Sequence, residues 1–234
     1  MNVAIIPARG GSKRVPRKNI TPFQGKPMIY WPIKAAIESK LFDHIIVSTD
    51  DEEISEIAIS YGAEVPFIRP EKLSDDYTGI KDVIKHALDW LDNSGIRANY
   101  CCCILATAVL LVNEDLKKGL EILKKNNKKK FAFSVSEFSS PVQRSFKINK
   151  DGDLEILFPE AIKERSQDLE KIYHDAAQFY WGSIDAFNSE DSQIISDDSI
   201  PIIIPNHRSQ DIDSEEDMII AKSKFNLLKN SPVK

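Results

Sequence analysis

Short apolar runs alternate with amphipathic stretches through the first two-thirds of the chain. Val3 to Pro7 reads as a buried strand, followed by a polar, glycine-containing loop through Asn19. A continuous apolar run too short for a helix suits a sheet covered on both faces. A helix is predicted from about Pro27 to Lys40, with Met28, Trp31, Ile33 and Ile37 spaced along one face. Ile45 to Ser48 is a second strand. The helix after it opens on Asp50-Asp51-Glu52-Glu53 and stops at Gly62, acidic residues suiting a helix N-terminus and glycine its far end. Val65 to Ile68 reads as a third strand, Lys81 to Leu91 as a helix, Cys101 to Ala106 as a fourth strand and Asp115 to Lys125 as a helix. Lys124 to Lys130 reads as the solvated end of that helix and a turn. Strands separated by helices imply parallel pairing through right-handed crossovers.

After Phe131 the pattern changes. Ser145 to Leu157 reads as a hairpin turning at Asp151-Gly152, and Ala177 to Trp181 and Ile200 to Ile204 as further strands. Phe179 and Trp181 are expected in the core, on alternate strand faces. Ser214 caps a C-terminal helix whose first turn is Glu215-Glu216-Asp217. The pattern predicts a single three-layer α/β domain over residues 1–234, with a β-rich insertion at roughly 131–175 that suits an oligomer contact.

Composition adds little: 42% hydrophobic and 29% charged residues are ordinary for a chain that buries a core. The 31 basic and 36 acidic side chains, net −5, give no reason to expect nucleic acid or an anionic membrane as partner. An anionic substrate therefore has to be held by a local cluster of cations. No stretch approaches the roughly 20 apolar residues of a membrane span. Met1 leads straight into a strand-like run, so no signal peptide is expected. Cys101, Cys102 and Cys103 are consecutive. Neighbours on a strand point to opposite faces, so they read as buried small hydrophobes rather than one metal site. An odd count of cysteines fits the reducing cytoplasm.

The cation cluster lies directly after the first strand. Residues Arg9 to Asn19 hold five cations and two glycines in eleven positions. In open α/β sheets, ligands bind beyond the carboxyl ends of strands. There, glycine lets backbone N–H groups approach phosphate oxygens while Arg and Lys neutralise the charge. The loop fits neither the P-loop spacing nor the Gly-x-Gly-x-x-Gly dinucleotide pattern. Asp211-Ile212-Asp213 is the second chemical feature. In an extended segment, residues i and i+2 face the same way, so both carboxylates reach one cation. Mg²⁺ is commonly held by one or two carboxylates, with phosphates and water completing its shell.

The Arg9–Asn19 loop resembles the signature loop of the CMP-sialic acid synthetase family. The resemblance continues through Ser48-Thr49-Asp50-Asp51-Glu52-Glu53-Ile54, Arg69-Pro70-Glu71-Lys72-Leu73-Ser74-Asp75-Asp76 and Gln210-Asp211-Ile212-Asp213, nearly the whole chain. It implies a Rossmann-like nucleotidyltransferase domain with a mostly parallel sheet, CTP as co-substrate, Mg²⁺ as cofactor, a cytoplasmic setting and a homodimer joined through the insertion. Ala8, Arg9, Gly10, Gly11, Ser12, Lys18, Asn19, Arg69 and Thr78 are then the nucleotide-binding candidates, with Arg9 and Lys18 on phosphates and Arg69 near the cytosine. Asp211 and Asp213 become the metal ligands, and Asp211 is also a candidate for taking the hydroxyl proton.

Glu164 to Leu169 and Tyr173 to Gly182 resemble the pseudaminic acid branch of that family. An acidic sugar needs a cation for its carboxylate, amides or hydroxyls for its substituents and aromatic faces for its apolar edges. Thr107, Arg165, His174, Gln178 and Tyr180 are the candidates. His174 equally suits a hydrogen-bonded structural role, and Arg165 a surface ion pair. The chain departs from the family pattern at Leu105, at Val109 where a proline is expected, and at Ala177 where glycine is more usual. The implied reaction is transfer of CMP from CTP to a nine-carbon acidic sugar, pseudaminic acid first. Sialic, legionaminic or Kdo-type sugar acids, a glycosyltransferase using Asp-x-Asp, and a nucleotide-binding homologue without turnover are the alternatives.

Overall fold

The computed structural model describes residues 1–230. Strand β1 (Asn2–Pro7) leads through the cation-rich loop to a small hairpin of β2 (Pro22–Phe23) and β3 (Lys26–Pro27), then α1 (Tyr30–Ser39), β4 (His44–Ser48) and α2 (Glu52–Ser60). Next come α3 (Ile80–Asn93), β5 (Tyr100–Ile104), α4 (Asn113–Lys125) and β6 (Phe131–Glu137). An outlying hairpin of β7 (Phe146–Ile148) and β8 (Leu154–Ile156) precedes β9 (Tyr173–Ser183), α5 (Ile184–Asn188), β10 (Ser199–Ile203) and α6 (Glu215–Asn230).

Six strands form the central sheet in the order β10-β6-β9-β5-β1-β4. β4, β1 and β5 pair in parallel, as do β6 and β10, while β9 pairs antiparallel with both β5 and β6. Five strands thus run one way and only β9 runs back. The sheet is covered on both faces because its strands are apolar on both. Ala4, Ile6, Cys102, Phe179 and Trp181 pack with α1, α2 and α4, whereas Val3, Ile5, Cys101, Cys103 and Tyr180 pack with α3 and α5. Each fully buried aliphatic side chain, such as Ile5 or Ile6, contributes about 1.5–3 kcal/mol by leaving water. The cysteines alternate between the layers as buried hydrophobes, and burial pushes all three thiols well above their ordinary range. A smaller cluster joins Phe23 and Met28 to Met218, Ala221 and Phe225 of α6. No helix among the described residues is long and apolar enough to cross a membrane.

Several sequence expectations need correcting. α1 begins at Tyr30 rather than Pro27, because Pro27 pairs with Pro22 in the hairpin. Met28 packs into the small cluster, and Ile37 is exposed instead of lying on the buried face. Residues 65–68 form no strand: two isolated bridges, Ile46 to Glu64 and Thr49 to Ile68, flank Pro66, which has no N–H to give a ladder. β5 ends at Ile104, since the chain turns where Ala108 N donates to Leu105 O. Phe179 and Trp181, two residues apart, share one face, and Tyr180 takes the other. Phe131–Glu137 is a central strand buried between β9 and β10. The segment outside the main sheet therefore spans 138–172.

Candidate functional site

The carboxyl ends of β1, β4, β5 and β10 open on one edge of the sheet, and the chemical residues gather there. Just beyond the end of β1 the buried N–H of Ala8 donates to Ser48 O at 2.9 Å. The chain then turns away at Gly10, whose N–H donates to Asp50 Oδ1 at 2.9 Å. A Cβ on Gly10 would lie 2.6 Å from Asp51 Oδ2, so only glycine lets the loop settle against α2. Gly11 faces open space. Arg17 adopts a left-handed backbone, φ 54°, and its guanidinium pairs with Asp51 at 2.5 Å and with Glu53. Asp51 also caps α2 by accepting from Ile54 N at 3.0 Å. Arg17 is thus spent on docking the loop. The turn behind it buries Asn19, whose Nδ2 donates to Arg9 O at 2.9 Å.

The other cations surround a cavity of about 640 Å³. Arg9, Ser12, Lys18, Asn19, Arg69, Thr78 and Thr107 line it, and Asp211 and Asp213 close its far side. Lys18 Nζ lies 2.7 Å from Ile212 O and 3.1 Å from Asp213 Oδ1, and Arg14 lies 2.9 Å from the same oxygen. Arg9 donates to Asp75 O at 2.7 Å and pairs with Asp76 at 2.7 Å, and Lys13 pairs with Asp76 at 2.5 Å. Lys13 and Arg9 hold the Asp76 carboxyl below its ordinary range. Arg69 is 3% exposed, held by Ser74 Oγ at 3.0 Å and by Asp50 at 3.8 Å. Burial lowers its pKa, and Asp50 opposes that shift. Thr78 sits at the rim, its hydroxyl donating to Asp75 Oδ1 at 2.7 Å. Ala8 packs in the core, and Gly10 and Gly11 shape the loop beside the cavity.

Asp211 and Asp213 flank the fully buried Ile212, and both also line a second cavity of about 360 Å³ with Glu137, His174 and Lys224. Surrounding protein atoms, and then the neighbouring charge of Asp213, raise the pKa of Asp211. Asp217 fixes this turn by accepting from Asp213 N at 3.0 Å and Ser214 N at 2.8 Å. The donor set fits Mg²⁺: two carboxylates, hard oxygen ligands, line the same cavity, and Asp211 is in no ion pair among the described residues. Among the described residues no group of three or more His, Cys, Asp or Glu could hold a metal, so phosphate oxygens and water would complete its shell.

The sugar candidates divide. His174 faces the second cavity, its Nδ1 2.8 Å from Asp175 O and its ring 4.8 Å from that of Phe138. Thr107 faces the first. Arg165 reaches neither cavity: it stands on the outlying segment, largely exposed, paired with Asp168 at 2.9 Å. Gln178 and Tyr180 are buried and line neither. The Gln178 amide donates to Arg208 O, and the Tyr180 hydroxyl donates to Asp175 Oδ2 at 2.6 Å. Gln178 therefore holds the backbone that leads to Asp211, and Tyr180 ties β9 to itself through Asp175. Ala177 explains this placement. Its φ is +51°, the conformation that favours glycine, and the β6–β9 register shifts there. Ser134 Oγ accepts from both Gln178 N and Phe179 N at 3.2 Å, holding the bulge.

Sequence reasoning missed the site's internal carboxylates. Asp76 pairs with Arg9 and Lys13, Asp217 folds the Asp211–Asp213 turn, and Asp115 and Arg208 form a buried pair behind it. The run Ser214 to Asp217 carried the only local signal, a helix N-terminus with an acidic first turn.

A family model described as "Cytidylyltransferase" matches residues 3–195, including the cation loop and stopping short of Asp211. The chain is 43% identical over 221 residues, 94% of each protein, to the pseudaminic acid cytidylyltransferase of Campylobacter jejuni. It is 33% identical over 152 residues, 65% of each, to the CMP-N,N'-diacetyllegionaminic acid synthase of Legionella pneumophila. The solved structure of CMP:2-keto-3-deoxy-manno-octonic acid synthetase complexed with CTP superposes with a TM-score of 0.69 at 15% identity, covering 98% of this chain and 99% of that one. That likeness carries the Rossmann-like nucleotidyltransferase fold. With a family match over most of its length and a cation-lined cavity where such a fold binds its ligand, the chain belongs to the cytidylyltransferase family and is a nucleotidyltransferase.

Proposed function

We propose that this enzyme transfers CMP from CTP to the anomeric hydroxyl of pseudaminic acid, releasing pyrophosphate. The observation that carries the reading is that Asp211 and Asp213 line both cavities. One cavity is walled by Arg9, Lys18 and Arg69 and suits a triphosphate and its base. The other offers His174, Asn206, Ser139 and Gln210 beside the carboxylates of Glu137 and Asp217, a polar lining that suits the hydroxyl and amide groups of a sugar. In this reading the two carboxylates would sit between the sugar hydroxyl and the α-phosphorus. The relative at 43% identity bears the same activity in its name.

Catalysis in this reading is positioning and charge stabilisation. Arg9 and Lys18 neutralise phosphate oxygens, and Asn19, bonded to Arg9 O, fixes the loop that presents them. Asp211 and Asp213 would hold Mg²⁺, which supplies Lewis-acid withdrawal of charge from the phosphates as pyrophosphate leaves. Asp211, which lines both cavities, would also be the group to accept the hydroxyl proton. Arg69 is preorganised by Asp50 and Ser74 to meet the nucleotide. Incubation with CTP, Mg²⁺ and pseudaminic acid should give the CMP-sugar by mass spectrometry. Unchanged CTP under those conditions would overturn the reading.

A homodimer joined through the outlying hairpin belongs to the same proposal. Phe146, Ile148, Leu154 and Ile156 are all exposed there, a concentration of apolar surface that marks an interaction site. Light scattering should give twice the chain mass, and Ile148→Lys with Leu154→Lys should halve it. A cytoplasmic setting follows from the need for CTP and from three free thiols.

A further inference from the structure

Behind the Asp211–Asp213 turn lies an ion pair that faces neither cavity. Arg208 and Asp115 are each 7% exposed. Both terminal guanidinium nitrogens donate to the carboxylate, one to each oxygen, with Nη2 to Oδ1 at 3.3 Å. Asp115 sits in the first turn of α4, where the helix dipole favours a negative charge. Arg208 precedes Asp211 by three residues and lies in the short helical turn Asn206–Arg208.

The same backbone is gripped from two other elements. Arg208 O accepts from the buried Gln178 amide of β9. Ser209 O accepts from Lys224 Nζ of α6 at 2.6 Å. Three elements thus converge on residues 208–209, immediately before the carboxylates. A buried ion pair is a poor source of stability, since well-packed apolar residues often replace one without loss. Its planar, two-pronged contact does fix the direction of the backbone that carries it. Residues 208–209 lead directly into the Asp211–Asp213 turn, where Lys18 Nζ lies 2.7 Å from Ile212 O and 3.1 Å from Asp213 Oδ1.

We propose that the Arg208–Asp115 pair is the positioning device that sets the Asp211–Asp213 turn for metal and triphosphate. The inference rests on the reading of those aspartates as metal ligands. Neither Arg208 nor Asp115 touches substrate. Each acts through the backbone of residues 208–213, as partners behind metal ligands commonly do, at a cost of about 10–100-fold in affinity when lost.

The test uses Arg208→Lys, Asp115→Asn and the apolar double variant Arg208→Met with Asp115→Leu, the last guarding against a buried unpaired charge. Circular dichroism identifies the folded variants. Mn²⁺ binding in the presence of CTP, without sugar, is then read by electron paramagnetic resonance. The folded double variant and Arg208→Lys should bind Mn²⁺ about 10–100-fold more weakly, while CTP affinity without metal stays within twofold. Wild-type Mn²⁺ affinity in a folded double variant would overturn the positioning role. Asp211→Asn is run alongside: if it too binds Mn²⁺ as wild type does, the metal-ligand reading itself falls, and this inference with it.

Discussion

Lys18 and Asp213 are separated by 195 positions, yet Lys18 Nζ lies 3.1 Å from Asp213 Oδ1. That contact joins the first loop of the chain to its last. In the proposed reaction it sets a cation for phosphate beside a carboxylate for metal, in a protein with a net charge of −5. The Lys18 side chain is only 19% exposed, so its charge acts with little solvent screening. Replacing Lys18 by Met should lower kcat/KM for CTP about 10²–10³-fold, the range for loss of one preorganised donor to developing charge. Steady-state pyrophosphate release measures it, and a loss under threefold would remove Lys18 from the phosphate site.

Arg9 and Lys13 are both paired with Asp76, so a triphosphate held by these cations would have to draw their charge from that carboxylate. Asp76→Ala should therefore bind CTP a few-fold more tightly, with a gain that fades as salt screens the exposed charges. Isothermal titration at two ionic strengths checks this. Weaker CTP binding would show that Asp76 orients the cations instead of competing for them.

Asp51 couples loop and helix through Arg17, and that guanidinium is the largest cause holding its carboxyl below the ordinary value of 3.8. A depressed folded-state pKa contributes stability that is present above the unfolded value and is lost as pH falls through the folded one. Asp51→Asn keeps a capping side chain and removes the charge. It should cost about 1 kcal/mol at pH 7, a figure set by the partly exposed pair. The difference from wild type should close as pH drops below the ordinary carboxylate range. Denaturant melts at pH 7 and pH 3 give the comparison, and an equal difference at both would mean the charge is not involved.

Ala177 holds a φ of +51°. A side chain in that region costs roughly 1–2 kcal/mol, part of which glycine gives back through its looser unfolded chain. Ala177→Gly should stabilise the fold by about 0.5–1 kcal/mol with activity unchanged. A destabilised Ala177→Gly would show that the methyl group packs in a way that outweighs the strain.

These relationships show what a sequence displays and what it conceals. β1, β4 and the helices α2, α3 and α4 were legible because their apolar spacing has one period and their ends carry caps such as Asp51 and Gly62. β6 was hidden because Phe131–Glu137 follows a lysine-rich turn, and its pairing with β9 and β10 is set by distant residues. The cation loop and the Asp211–Asp213 pair were visible as local clusters of charge. Their meeting across one cavity was not local, nor was the cover that Asp76 gives Arg9. Gln178 and Tyr180 looked like sugar contacts because their segment resembles the pseudaminic acid branch and they carry an amide and a hydroxyl. The bulge at Ala177, which no periodicity reveals, turns Gln178 toward Arg208.

The central claim is that the two cavities sharing Asp211 and Asp213 bring CTP and pseudaminic acid together. Initial rates of pyrophosphate release, with CTP and Mg²⁺ and with pseudaminic acid, N-acetylneuraminic acid or N,N'-diacetyllegionaminic acid in parallel, test it most directly. A rate with pseudaminic acid at least about tenfold above the others is predicted, a discrimination that a few substituent contacts can supply. Equal rates with all three, or release with none, would contradict it.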